Sequence, residues 1–286
     1  MKKLLVLLLM LATSLHFAGV EALEVYLPDF EMSFPFEGQR VVEPEDDVPF
    51  GHMRPEMYGI PAAEEKNSAS HLLTEETETS TPVYHIDSGK PGPAIYIVAG
   101  THGDERAGWY AASLLEQIAL DAGSLSILPQ ANRLGCEEIR RHVIGSLDLN
   151  RSYPGEEGGD PAQNLAHAIY DDITRMQPVL VLDLHEAAYY AEDSDFLGNK
   201  IIFTNLDGIE ELFFSLLESA EKESLGKYPF GFVSPGVAGS LNSTAAKGAG
   251  IPVLTVETFR GFPISQRVED QIDIVLHCLR FYGMID

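Results

Sequence analysis

From about residue 83 onward, short apolar blocks alternate with longer segments of helical periodicity. Residues 83–86, 94–98, 125–129, 179–184, 201–204 and 251–256 are apolar runs of strand length, several of them bounded by Gly, Pro, Asp or Ser. Between and after them, segments 107–120, 161–176, 208–220, 239–247 and 268–281 place apolar residues three and four positions apart, which predicts helices. Asp160 followed by Pro161 predicts an N-cap and a proline in the first helical position. The run 179–184 is apolar without strict alternation, the pattern of a strand buried on both faces. Strands separated by helices imply an α/β domain on a twisted, largely parallel sheet covered on both sides. Ligands in such sheets gather at the carboxyl ends of the strands.

The first 82 residues follow neither pattern. Lys2 and Lys3 precede an apolar run from residue 4 to about 20, and Val20-Glu21-Ala22 suits cleavage after Ala22. That is the layout of a signal peptide. Thr13, Ser14 and His16 make the run a poor membrane span. The expectation is a chain exported to a periplasmic or extracellular space, with no membrane span after cleavage. Residues 23–82 are rich in Glu, Asp, Pro, Ser and Thr, and predict an acidic N-terminal arm. Phe30, Phe34, Phe36, Phe50 and Tyr58 predict that it is partly ordered against the main domain. The catalytic domain is expected over 83–286.

Charge narrows the partners. The chain has 19 basic and 44 acidic side chains, a formal charge of −25. Nucleic acid and anionic membrane surfaces repel such a protein, and an anionic substrate needs a local basic pocket. Cys136 and Cys278 are the two cysteines. Their spacing leaves open a disulfide or two buried thiols, and the oligomeric state is open as well.

Three polar clusters fall at the ends of predicted strands: Ala99 to Glu105, Asp183 to Glu186, and Glu257. Zinc takes imidazole nitrogen and carboxylate oxygen, and a catalytic site uses three protein ligands. His102 and Glu105 can converge from one turn, and His185 can join them from a nearby strand. Zinc would polarise a carbonyl and activate water. A further carboxylate then moves the proton, and Glu257 leads for that role. Asp104 or Glu186 could stand in for Glu105 or Glu257.

Gly89 to Glu105, through Gly92-Pro93, a strand and Gly100-Thr101-His102-Gly103-Asp104-Glu105, resembles the succinylglutamate desuccinylase/aspartoacylase family, relatives of the zinc carboxypeptidases. Asp148-Leu149-Asn150-Arg151-Ser152-Tyr153-Pro154-Gly155 and Asp183-Leu184-His185 resemble it too, in the same order. The resemblance spans about 83 to 257 and implies a mixed, mostly parallel twisted sheet flanked by helices, zinc-carboxypeptidase-like in type. It implies one Zn2+ per chain on His102, Glu105 and His185, and Glu257 as general base. It also implies that Asp148 holds His102, that Asn150 and Arg151 bind a substrate carboxylate, and that Arg141, or Arg140 beside it, polarises the carbonyl. Arg suits the carboxylate because its fork is planar and permanently charged.

The implied activity is hydrolysis of an amide next to a carboxylate-bearing group, by a deacylase. The alternative is an exported carboxypeptidase acting on peptides, including cell-wall peptides. Only 29 residues follow Glu257 in this sequence, so the C-terminal β domain of aspartoacylase-like enzymes is not expected. No Tyr lies between Tyr228 and Glu257 to match the mobile Tyr of zinc carboxypeptidases. The expected partner is a small molecule or peptide with a free carboxylate.

Overall fold

The computed structural model describes residues 23–25, 43–63, 70–188, 198–222 and 224–286. The predicted signal peptide, and Phe30, Phe34 and Phe36 of the predicted arm, lie outside the described residues. The strands are β1 (Leu23–Val25), β2 (His71–Leu73), β3 (Thr81–Asp87), β4 (Ala94–Ala99), β5 (Ser124–Leu128), β6 (Leu180–Ala187), β7 (Lys200–Phe203), β8 (Gly231–Ser234) and β9 (Val253–Phe259). They form one nine-stranded sheet in the order β1-β8-β7-β9-β6-β4-β5-β3-β2. Its centre, β5-β4-β6-β9, is parallel throughout. Antiparallel pairings join β3 to β5 and β7 to β9, so the sheet is mixed around a parallel heart.

The helices are α1 (Arg106–Leu115), α2 (Arg133–Glu138), α3 (Pro161–Met176), α4 (Glu210–Glu221), α5 (Leu241–Gly248) and α6 (Ile264–Phe281). Strand alternation sends successive side chains to opposite faces. Ile95, Ile97, Leu182, Leu184, Leu254 and Val256 join α1, α4 and α6 in one core. Tyr96, Val98, Val181 and Val253 join α3 and α5 in the other. The prediction of a sheet covered on both faces holds.

Local chemistry explains the boundaries. The Asp160 side chain accepts from the Ala162 and Gln163 amides, and the Gln163 side chain returns a bond to the Asp160 amide. This capping box, with Pro161 behind it, starts α3 where the sequence predicts. Helix α1 ends at Leu115, earlier than predicted, and Ile118 instead forms a bridge with Ala62. Helix α1 lies close against β6: a Cβ at Gly108 would meet the Leu184 carbonyl oxygen at 2.7 Å. The bare glycine lets the start of α1 approach the strand that carries His185.

Parts of the predicted arm contact this body. Met53 and Ile60 are buried in the α1/α6 core. Phe50 stacks on Tyr110 with ring centroids 4.3 Å apart. Strand β2 pairs with β3, and His71 lies 3.1 Å from Asp172 on α3. Cys136 and Cys278 are buried free thiols. No helix among the described residues is long and apolar enough to cross a membrane.

One buried acid should make stability depend on pH. Asp270 on α6 is fully buried, and burial pushes its carboxyl up to about 7, with Asp273 and Glu269 adding and the Lys227 amide and Gln266 opposing. As pH rises from about 4, the unfolded chain releases this proton first, so stability falls until about pH 7 and stays lower above it. Asp270→Asn should therefore raise Tm by roughly a few degrees at pH 8 and leave it nearly unchanged at pH 4. Thermal unfolding followed by circular dichroism at both pH values checks this; an equal shift at both would contradict it.

Candidate metal centre and substrate pocket

Three neighbouring parallel strands deliver the site. The chain leaves β4 at Ala99, turns through His102, and enters α1 directly after Glu105. Along β6, Asp183 and His185 share a face, and along β9, Thr255 and Glu257 share the same one. The register sets His185 opposite Glu257. These side chains emerge at the carboxyl ends of the strands, where an open α/β sheet places its ligands.

His102, Glu105 and His185 converge, with one donor atom from each within 4.8 Å of the others. All three are buried, at 3%, 3% and 2% exposure. The Glu105 carboxylate faces both rings: Oε1 lies 2.7 Å from His102 Nδ1 and Oε2 lies 2.8 Å from His185 Nδ1. The opposite ring nitrogens are anchored to carboxylates, His102 Nε2 to Asp148 at 2.8 Å and His185 Nε2 to Asp183 at 3.2 Å. The hydrogen bond to Asp148 orients the His102 ring and aims its Nδ1 at the common point, and Asp183 sets a buried negative charge behind the His185 ring. Two imidazole nitrogens and one carboxylate, buried and aimed together, are a donor set that fits zinc.

The electrostatics favour positive charge at this point. Burial opposes charge on both histidines, but Glu105 and Asp148 outweigh it at His102, and Asp183 and Glu105 at His185, so both pKa values rise. Burial likewise opposes charge on Glu105, yet the two histidines hold it well below the usual carboxylate range. Glu257 is also buried. Burial raises its carboxyl to about 8, with Glu105 and Asp183 adding and the histidines pulling it down. Positive charge at the neighbouring centre therefore favours its ionised, proton-accepting form.

A cavity of about 410 Å³ opens beside these groups. His102, Glu105, His185 and Glu257 line it together with Arg141, Asn150, Arg151, Asp104, Glu186 and Arg260. Arg141 Nη1 donates to Glu105 Oε1 at 2.8 Å and Nη2 lies 3.7 Å from Asp148. Arg140 is absent from the lining and pairs with Glu138 on the surface, so the geometry distinguishes the two arginines. The Asn150 side-chain oxygen accepts from the Leu241 amide, and its Nδ2 reaches toward His185 at 3.5 Å. Arg151 donates to the Asn150 carbonyl and has no carboxylate partner among the described residues.

Asp104 and Glu186 are otherwise engaged. Asp104 accepts from Arg260 at 2.9 Å. Glu186 points to the opposite face of β6, where Oε2 accepts the Ala107 amide at 2.9 Å and Oε1 accepts Arg267 at 2.5 Å. Neither matches the position of Glu105 or Glu257.

Several supporting groups escape a reading of the sequence. Asp183 is part of a strand-end cluster in the sequence, but its place behind His185 goes unassigned there, although their i,i+2 spacing puts both on one strand face. Gln271 donates to the His185 carbonyl at 2.7 Å, from α6, and no local signal marks it. Arg267 is fully buried and joins Glu186 to Glu43. Glu43 in turn meets Arg106 and Arg260, at 3.2 and 3.1 Å.

A family model described as the succinylglutamate desuccinylase/aspartoacylase catalytic domain matches residues 91–198. No curated protein sequence matches the chain. Among solved structures, a succinylglutamate desuccinylase from Silicibacter sp. TM1040 is 18% identical with a TM-score of 0.55, over 72% of this chain and 62% of that one. A succinylglutamate desuccinylase/aspartoacylase from Rhodobacter sphaeroides is 21% identical with a TM-score of 0.56, over 84% and 69%. The tripeptide-bound cell shape determinant Csd4 of Helicobacter pylori is 18% identical with a TM-score of 0.57, over 72% and 56%. The chain thus spans about three fifths of the length of the Silicibacter protein and a little over half of Csd4. At these identities the likeness is one of fold. Residues 91–198 hold His102, Glu105, Arg141, Asp148, Asn150, Arg151 and His185, so the segment of the chain that builds most of the site is the one that carries the succinylglutamate desuccinylase/aspartoacylase catalytic-domain pattern.

Proposed function

We propose that this chain is a zinc-dependent hydrolase that cleaves an amide next to a carboxylate-bearing group, a deacylase of the succinylglutamate desuccinylase/aspartoacylase type. The observation that carries the reading is the convergence of buried His102, Glu105 and His185 on one point, with Glu257 opposite His185 on the adjacent strand. His102, Glu105 and His185 would hold one Zn2+ per chain, and the bound ion would polarise the scissile carbonyl and make water more acidic.

The chain's own residues supply the rest. Arg151, with Asn150 beside it, binds the substrate carboxylate and fixes the amide in the cavity. Glu257 takes the proton of the attacking water and passes it to the leaving nitrogen. Arg141 stands at the Glu105 side of the cavity, where its guanidinium supports negative charge developing on the carbonyl oxygen. Asp148 and Asp183 hold the histidine rings in register.

A second reading is a carboxypeptidase acting on peptides, cell-wall peptides among them. It is favoured by the likeness in fold to a protein crystallised with a tripeptide. The basic, apolar start of the chain supports export and signal cleavage near Ala22, and both readings suit an exported enzyme.

Glu257→Gln should retain zinc and lose about a hundredfold or more of turnover, measured against a panel of N-acyl amino acids and peptides with free carboxyl ends. Full turnover in that variant would reject the mechanism, and cleavage of neither substrate class by the native chain would reject both readings. Asp148→Asn should weaken zinc binding about 10- to 100-fold by freeing the His102 ring, as read by competition with a chromophoric chelator. Unaltered affinity would contradict the anchoring role.

A further inference from the structure

Among the described residues, three guanidinium groups line the cavity, and they are not equivalent. Arg141 is committed to Glu105 and Asp148. Arg260 is committed at both ends of its fork: Nη1 donates to Asp104 Oδ2 at 2.9 Å, and Nη2 donates to Glu43 Oε2 at 3.1 Å. Arg151 alone of the three lacks a carboxylate partner among the described residues.

Glu43 comes from the acidic segment before the main domain, yet it is only about one fifth exposed and is held by Arg106, Arg260 and Arg267 together. Among the described residues, the surrounding cluster leaves no spare positive charge. Arg106 also pairs with Asp46, Arg260 with Asp104, and Arg267 with Glu186. A second carboxylate arriving beside Arg260 would have to displace Asp104 or Glu43, or lie against them unpaired. Like charges brought together in this way repel one another and weaken binding. A chain with a formal charge of −25 provides no wider field to offset that repulsion.

Resting on the amide-hydrolase reading of the same pocket, we propose that the site takes a substrate with a single carboxylate, held at Arg151, and that Glu43 and Asp104 keep Arg260 from serving as a second carboxylate anchor. The acyl or amino-terminal part of the substrate is then uncharged where it passes Arg260. Glu43 is a specificity-determining residue contributed from outside the main domain. Acyl groups that end in a carboxylate are disfavoured, although the family pattern in residues 91–198 takes its name in part from an enzyme that removes one.

Succinamate and succinate test this, because they have the same shape and differ in one charge. Isothermal titration of the zinc-treated full chain should show succinamate binding at least as tightly as succinate. Glu43→Gln should shift the affinity ratio about tenfold toward succinate, and adding Arg260→Gln should reverse that shift. If Glu43→Gln does not fold, Asp104→Asn replaces it with the same expected shift. Arg151→Gln should weaken both ligands. Three results would overturn the proposal: binding of neither ligand, a tenfold native preference for succinate that Arg260→Gln removes, or an unchanged ratio in the folded Glu43 and Asp104 variants. Zinc content is measured on the same samples. A chain that keeps this selectivity but binds no zinc would reject the hydrolase reading and leave the pocket's charge preference standing.

Discussion

The site depends on the contact of one carboxylate with two imidazoles. Glu105 reaches both His102 and His185 through their Nδ1 atoms, which requires three backbone segments to end at one place. Parallel pairing of β4 with β6 and of β6 with β9 provides that alignment. Gly108 lets α1 approach β6, and the Glu186 amide donates to Glu105 Oε2 at 3.0 Å. The carboxylate is therefore held by backbone as well as by side chains. Asp148 and Asp183 complete the arrangement from behind the rings, so little freedom remains for the donor atoms to separate.

A second layer of charge braces the first from the far side of β6. Glu186 caps the start of α1 with one oxygen and receives Arg267 with the other. Breaking a buried pair of this kind by removing one partner costs about 3–5 kcal/mol, because the other charge is left without compensation. Glu43 extends the same network to Arg260 at the edge of the cavity. One chain of contacts thus runs from Glu105 through the Glu186 amide, Arg267 and Glu43 to Arg260 at the cavity edge.

Much of this was legible in the sequence. The six predicted core strands and the capped helix α3 appear where apolar periodicity places them. His102, Glu105, His185 and Glu257 stood out because polar residues follow apolar runs, whereas Asp148, Asn150 and Arg151 were singled out by the family resemblance alone. Strands β6 and β9 run three residues past their predicted ends, because polar His185, Glu186, Glu257 and Thr258 break the apolar pattern while ladder pairing continues to Ala187 and Phe259. Strands β2 and β8 lie in polar or Gly- and Pro-containing sequence and carry no strong alternation. Helix α6 begins four residues early because Gln266 and Arg267 read as a solvated face but are buried. Glu43 was indistinguishable from the other acids of its segment, since its role exists only after distant arginines have been brought to it.

The central claim is that His102, Glu105 and His185 together form one metal site. Its most direct measurement is X-ray absorption spectroscopy of the purified full chain after titration with zinc. The account predicts one equivalent of zinc, with two imidazole nitrogens and a carboxylate oxygen in the coordination sphere, and loss of that signal in His185→Ala. Failure to bind zinc, or a coordination sphere that is unaltered in His185→Ala, would contradict it.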